Sequence, residues 1–371
     1  MKGSIRGLVL LVAGLCAVFP PLASAQSAKD AGAVFVMTNG VDKNEIIAYG
    51  RDANGNLYGG ERFDTGGQGS GGLIAPLGSQ GSLTLTADHT ILLAVNAGSG
   101  TISEFRVNGS RLSLLDKTSA AGSSPVAVAV RGGLVYLLDA GGQGSVTGYR
   151  LQFDGTLAEI PNSTAFLTPF GGGSGAGSLS ISPNGHFLLV TERNSNQVDA
   201  FPIKGNGTLG AEVSTTSAGA EAFAGEFAPS GIAVVAESEG DVTSYSVGAN
   251  GVFTPVSTNV PTLGTATCWI IVTPNGKYVY TSNTASANIS GFSISSTGVL
   301  TPIGSTVVGS NPSGGFNLDL ATSSDGKFLY TIDAAAGAIS GFQIQSDGSL
   351  IGPNLTDGLP KSAGFQGIAA Y

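Results

Sequence analysis

Short apolar runs interrupted by glycine-centred turns recur along the whole chain, and their order repeats. An aromatic side chain closes a run of β-branched or small residues at Tyr49, Phe105, Tyr149, Phe201, Tyr245, Phe292 and Phe342, spaced 56, 44, 52, 44, 47 and 50 residues apart. Each leads within a few residues to a turn and then a large apolar residue, as in DANGNL, VNGSRL, FDGTL, GNGTL, ANGVF, STGVL and SDGSL. Asn-Gly and Asp-Gly tolerate the positive φ of two-residue hairpin loops, so each turn predicts a tight hairpin. A second hairpin lies upstream, clearest in SLSISPNGHFLLVTE, WIIVTPNGKYVYTSN and LDLATSSDGKFLYTID. One unit is thus four antiparallel strands, A to D, and no helical periodicity competes with it.

Seven such units predict an all-β fold, a seven-bladed β-propeller of four-stranded antiparallel blades, because radial repetition lets each sheet bury both faces against its neighbours. The first unit begins with VFVMTN at Val34, which corresponds to strand B, so its strand A is missing at the start. The final QGIAAY supplies a matching segment. Gly367 to Tyr371 are therefore expected to pair beside Val34 to Thr38 and close the ring, leaving residues 26–371 as one propeller domain.

Composition sharpens this picture. The 371 residues include 58 Gly but only 2 His and 2 Cys, an inventory from which neither a structural zinc site nor a disulfide scaffold can be built. Residues 1–25 read as a signal peptide, with Lys2 and Arg6 before an apolar stretch from Leu8 to Phe19 and Ala23-Ser24-Ala25 as the cleavage pattern. The expected location is extracytoplasmic, periplasmic or secreted. Without that segment 25 acids face 14 bases, a net charge of −11, which disfavours nucleic acid and anionic membranes as partners. After Arg193 there is no arginine, and only Lys204, Lys277, Lys327 and Lys361 oppose twelve acids. The expected partner is a small neutral or weakly charged ligand bound by a monomer.

The string SPNGHFLLVTE, followed by Gln197 to Phe201 and GNGTL, resembles the lactonase-type seven-bladed propellers, the group of bacterial 6-phosphogluconolactonases and carboxymuconate-lactonizing enzymes. The resemblance covers residues 33 to 371, although extracellular YVTN-type propellers share much of the grammar. It implies hydrolytic opening of a lactone, a cyclic ester, with Arg-His or Pro-His at inner-strand starts and a Glu at the end of strand B. Aligned on their A–B turns, the inner strands place Ser82, Pro125, Ser178, Ala224, Trp269, Asp319 and Gly367 in the histidine column. None is histidine. His89 and His186 fall in A–B turns, on the opposite face.

A polar residue ends every strand B: Asn39, Asn96, Asp139, Glu192, Glu237, Asn283 and Asp333. These positions are expected to ring the channel mouth. Glu192 and Glu237 match the family's Glu position and are the catalytic candidates, a general acid or base with Arg193 polarising the carbonyl. The competing structural reading has these polar residues bonding backbone groups of the B–C turn. Asp139, Asn283, Asp319, Asp333, Cys268 and Trp269 are the candidate ligand-binding residues. Cys268 with Trp269 suggests a thiol beside an aromatic platform, yet no histidine stands by to activate the thiol. Asp319 with Glu192 and Glu237 offers oxygen ligands, but no loop has regular acidic spacing, so neither metal nor cofactor is expected. Two functions follow: a lactonase-like hydrolase, or a non-catalytic extracytoplasmic propeller that binds a small molecule or a protein at the same face.

Overall fold

The computed structural model describes Gly3, residues 30–311 and residues 315–371. The signal-peptide expectation for residues 1–25 lies, Gly3 apart, outside the described residues. Seven antiparallel sheets make up the fold, with no helix among the described residues. Blade one combines Ile368–Ala370 with Gly32–Met37, Glu45–Arg51 and Leu57–Asp64. Blades two to seven then follow in chain order, beginning at the inner strands Leu83–Leu85, Pro125–Arg131, Ala176–Ile181, Ala222–Phe227, Thr267–Val272 and Asn317–Thr322. Each inner strand meets the next all the way round, so the ring closes on itself. Blade three alone departs from four strands: its outer strand is split into Leu157–Glu159 and Ala165–Phe166, both paired with Ser145–Leu151.

Closure takes the expected form. Val34, Phe35 and Val36 pair with Ala370, Ala369 and Ile368, and the Met37 amide donates to the Gly367 carbonyl at 3.0 Å. Arg51 reinforces the seam by donating from Nε to the Tyr371 carbonyl at 3.2 Å and from a terminal nitrogen to the Ala31 carbonyl at 2.9 Å.

The repeating aromatics are the core. All seven lie on strand C, and each is at most 5% exposed. Strand-B tyrosines stitch neighbouring blades together: the hydroxyls of Tyr136, Tyr280 and Tyr330 donate to the carbonyls of Gly207, Gly348 and Gly55, each in the C–D turn of the next blade.

The turn chemistry differs from the sequence expectation. In six blades the C–D loop has three residues; in blade one, the Gly55 amide donates to the Asp52 carbonyl at 3.1 Å and the Asp52 amide to the Asn56 carbonyl at 3.0 Å. That is a type I turn closed by a glycine bulge, so only the glycine takes positive φ, 84° at Gly55, and the preceding Asn or Asp keeps ordinary geometry. Blade two alone has the two-residue loop, with Asn108 paired to Arg111 around Gly109.

Candidate functional site

Inner strands carry a bulge near their start, which decides what faces the channel. In blades three to six the bulged residues are Val126, Gly177, Phe223 and Cys268; in blade seven the bulge comes one step later, at Asp319. The sequence alignment therefore misplaces two residues: Ala127, not Pro125, sits opposite Leu138, and Asp319 falls in the bulge instead of beside Trp269's counterparts. Neither change brings a histidine or arginine into the inner strands. His89 and His186 lie in A–B turns, and the His89 ring stacks on Tyr371 at 4.8 Å.

The residues that end strand B are buried and turn mainly towards the interblade linkers. Glu237 is fully buried: one carboxylate oxygen accepts the Ser217 hydroxyl at 2.7 Å and the Gly219 amide at 2.8 Å, the other the Thr243 hydroxyl at 2.9 Å. Burial raises its pKa, against the lowering effect of those bonds. Asn283 accepts from Thr267 and donates to Asn288 and Ser290. Asp139 accepts the Ser124 amide, and burial pushes it up to about 6. Asp333 accepts the Ala336 amide. A linker glycine closes over five of these side chains: a Cβ on Gly67, Gly122, Gly219, Gly264 or Gly315 would fall within 2.4 Å of Asn96, Asp139, Glu237, Asn283 or Asp333 respectively. Side chain and glycine form one repeated lock, and the bonding reaches the linker from the preceding blade more than the B–C turn.

Asp319, 3% exposed and at φ 49°, accepts the Leu320 amide at 2.9 Å, and the Gly367 and Ile368 amides also bond it. Burial pushes it up to about 7 despite those donors. It clasps the ring-closing segment.

The channel is stopped from above by the linker between blades one and two. Ser79 is fully buried; its carbonyl accepts the Trp269 indole N–H at 3.0 Å and the Gln366 amide at 2.6 Å, and its hydroxyl donates to the Val126 carbonyl at 2.8 Å. Gln80 donates its backbone N–H to the Gly177 carbonyl at 2.8 Å and accepts the Ile270 amide at 2.9 Å. Two residues thus bond inner strands of blades one, three, four and six. Sequence reasoning missed this plug, although the 56-residue first interval between core aromatics, the longest of the six, carried its trace. Trp269 is consequently enclosed beneath the plug, with the Phe223 ring at 5.2 Å.

Arg193 is the one strand-B-end candidate that reaches the plug. Its guanidinium lies over the Phe223 ring at 5.1 Å and against the plug backbone, where a Cβ on Gly78 would come within 3.0 Å of a guanidinium nitrogen. Nε donates to the Gly175 carbonyl at 3.3 Å. Among the described residues no carboxylate pairs with it within 4.0 Å. Burial lowers its pKa, while Cys268 and the exposed Glu221 act the other way. Burial raises the Cys268 thiol, which keeps it protonated and a poor nucleophile. Glu221, at φ 59° just before the inner strand of blade five, was not among the sequence candidates, because only folding brings it near Arg193.

Below the plug a cavity of about 290 Å³ is lined by Gln80, Thr84, Val128, Ser180 and Glu226. Glu226 accepts the Val272 amide at 2.9 Å, and burial pushes its carboxyl up to about 8. Glu192 lies elsewhere: fully buried, it accepts the Ser195 hydroxyl at 2.5 Å and stands with Asp199 and Glu212, one oxygen of each within 4.8 Å of the others.

A closed ring of seven antiparallel sheets defines the seven-bladed β-propeller class. The profile of the family described as "Lactonase, 7-bladed beta-propeller" matches residues 70–319, and the chain belongs to that family. Among solved structures it is similar to the periplasmic gluconolactonase PpgL of Pseudomonas aeruginosa, at 17% identity over 90% of this chain and 99% of that one, TM-score 0.70. A Bacteroides uniformis protein named provisionally as a 6-phosphogluconolactonase gives 18% identity over 92% and 99%, TM-score 0.70. A Lactobacillus plantarum protein gives 18% over 91% and 98%, TM-score 0.72. No curated protein matches the chain. At these identities the structural likeness shows the fold alone.

Proposed function

We propose that the protein is an extracytoplasmic lactonase that opens a small, neutral or weakly charged cyclic ester at the plugged channel mouth. Family membership supports the reaction class, and the unneutralised Arg193 laid on Phe223 carries the assignment to this mouth. Of the three residues that the sequence marks as catalytic, Arg193 is the one at this mouth, while Glu237 has both oxygens engaged by its own blade and linker and Glu192 faces Asp199 and Glu212. In the proposed reaction the lactone carbonyl oxygen faces the guanidinium. Water attacks the carbonyl carbon, Glu221 takes the proton, and Arg193 stabilises the oxyanion. As the ring C–O bond breaks, Glu221 returns the proton to the departing alkoxide. Cys268, kept as a thiol, borders the site without attacking.

A pH-stat assay of the purified protein against a panel of aldonolactones and aliphatic lactones tests this. Arg193→Gln is expected to lower kcat/KM at least about 100-fold, the scale of losing one oxyanion-stabilising group. Turnover unchanged in that variant would refute the assignment. The alternative of binding without turnover draws on the plug itself, which fills the upper channel with Ser79 and Gln80. It predicts saturable ligand binding, weakened by Arg193→Gln, and no hydrolysis of any lactone in the panel.

A further inference from the structure

One strand-C position has the same chemistry in five blades and breaks it in a sixth. Two residues after the partner of the strand-B end stand Ser103, Thr147, Thr243, Ser290 and Ser340, all fully buried. Ser103 and Ser290 donate to linker carbonyls at 2.7 and 2.6 Å, and Thr243 donates to Glu237. Blade four has Asp199 there instead, equally buried, next to Glu192 at the strand-B end and Glu212 from the loop leading into the outer strand. Glu192 Oε1, both Asp199 carboxylate oxygens and Glu212 Oε1 are buried with no donor in good hydrogen-bond geometry, and the hydroxyl of Ser214, the cross-strand partner of Asp199, is the one neighbouring donor that lowers the Asp199 pKa. Glu192 accepts only from Ser195, and Glu212 accepts the Thr168 hydroxyl at 2.5 Å on its other oxygen. None of the three is in an ion pair among the described residues.

Leaving several carboxylate oxygens dry, unpaired and ionised is costly unless a proton or a cation joins them. Two oxygens that share one calcium ion at about 2.4 Å lie at most about 4.8 Å apart, and one oxygen from each of the three carboxylates meets that limit. We propose that Glu192, Asp199 and Glu212 bind a divalent, oxygen-preferring cation, with Ca²⁺ the best fit. The half-buried Glu212 gives the ion its route in. Burial, together with the neighbouring negative charges, pushes Asp199 up to about 8 and Glu192 up to about 7. Cation and proton therefore compete for the cluster. Bound, the ion pins the end of strand B one residue before Arg193, but its binding does not depend on any lactonase activity.

The test uses the chelator-treated full chain at pH 7.5, titrated with CaCl₂ by calorimetry and followed by thermal unfolding. One ion per chain and a Tm rise of about 4 °C at a hundredfold excess over Kd are expected. Asp199→Ser, which installs the residue type of the sister blades, is expected to fold and to lose both signals. Glu212→Gln, at the half-buried edge, should weaken binding at least tenfold and serves as the second probe should Asp199→Ser fail to fold. Absence of saturable Ca²⁺ binding up to millimolar concentration, or an equal response in wild type and variants, would overturn the proposal.

Discussion

Replacing Glu226 by Gln isolates the effect of one half-buried carboxyl on the stability of the ring. Glu226 lies on the inner strand of blade five, accepts the Val272 amide, and is pushed from 4.5 up to about 8 by burial. A carboxyl whose folded pKa is raised holds its proton in the folded state over a range where the unfolded chain has released it. Stability therefore falls as pH rises from about 4.5 to about 8 and is flat beyond. At about 1.4 kcal/mol per pH unit the loss is on the order of 3–5 kcal/mol, with the lower end favoured because the adjoining cavity can admit water. Glutamine keeps an oxygen for the Val272 amide and never ionises. Urea unfolding of both proteins at pH 5, 6, 7, 8 and 9 reads the difference between them, which cancels the other buried acids. The variants should be nearly equal at pH 5, with Glu226→Gln more stable by several kcal/mol at pH 8. Parallel stability curves, or a gap that widens towards acid, would refute the reasoning.

Other predictions test the remaining links. Ending the chain at Gln366 removes the partner of Val34 to Val36 and strips the Gly367 and Ile368 amides from Asp319; size-exclusion chromatography should show aggregation from the exposed edge. Tyr280→Phe deletes the hydroxyl that donates to the Gly348 carbonyl at 2.8 Å between blades six and seven and should cost about 1–2 kcal/mol in urea unfolding. Gly219→Ala places a methyl within 2.4 Å of the Glu237 carboxylate, and a loss of at least about 2 kcal/mol is expected; a neutral result would dissolve the linker lock.

How much of this was legible beforehand divides along range. The repeat of Tyr49, Phe105, Tyr149, Phe201, Tyr245, Phe292 and Phe342 on strand C, the turns that follow them and the swap of the last strand into blade one all rest on local alternation, which the chain displays openly. Turn type was subtler, because Asn-Gly fits both the two-residue loop and the three-residue loop with a glycine bulge. Only the ladder bonds around Asp52 to Asn56 separate them.

The direction of a side chain at the end of strand B was not local at all. Glu237 meets Ser217 and Gly219 on the incoming linker, and Glu192 meets Glu212 from the far side of its own blade. The same sequence position thus yields a satisfied lock in one blade and an unpaired acidic cluster in the next. By itself the sequence determined the number of sheets, their order and the closure, because hydrophobic periodicity needs no knowledge of distant partners. Tertiary structure alone decided that Ser79 and Gln80 stop the channel, that Arg193 lies on Phe223 beside Glu221, and that three carboxylates converge in blade four. Those contacts join residues from seven to 190 positions apart, and only packing and burial fix which of the possible partners each polar group takes.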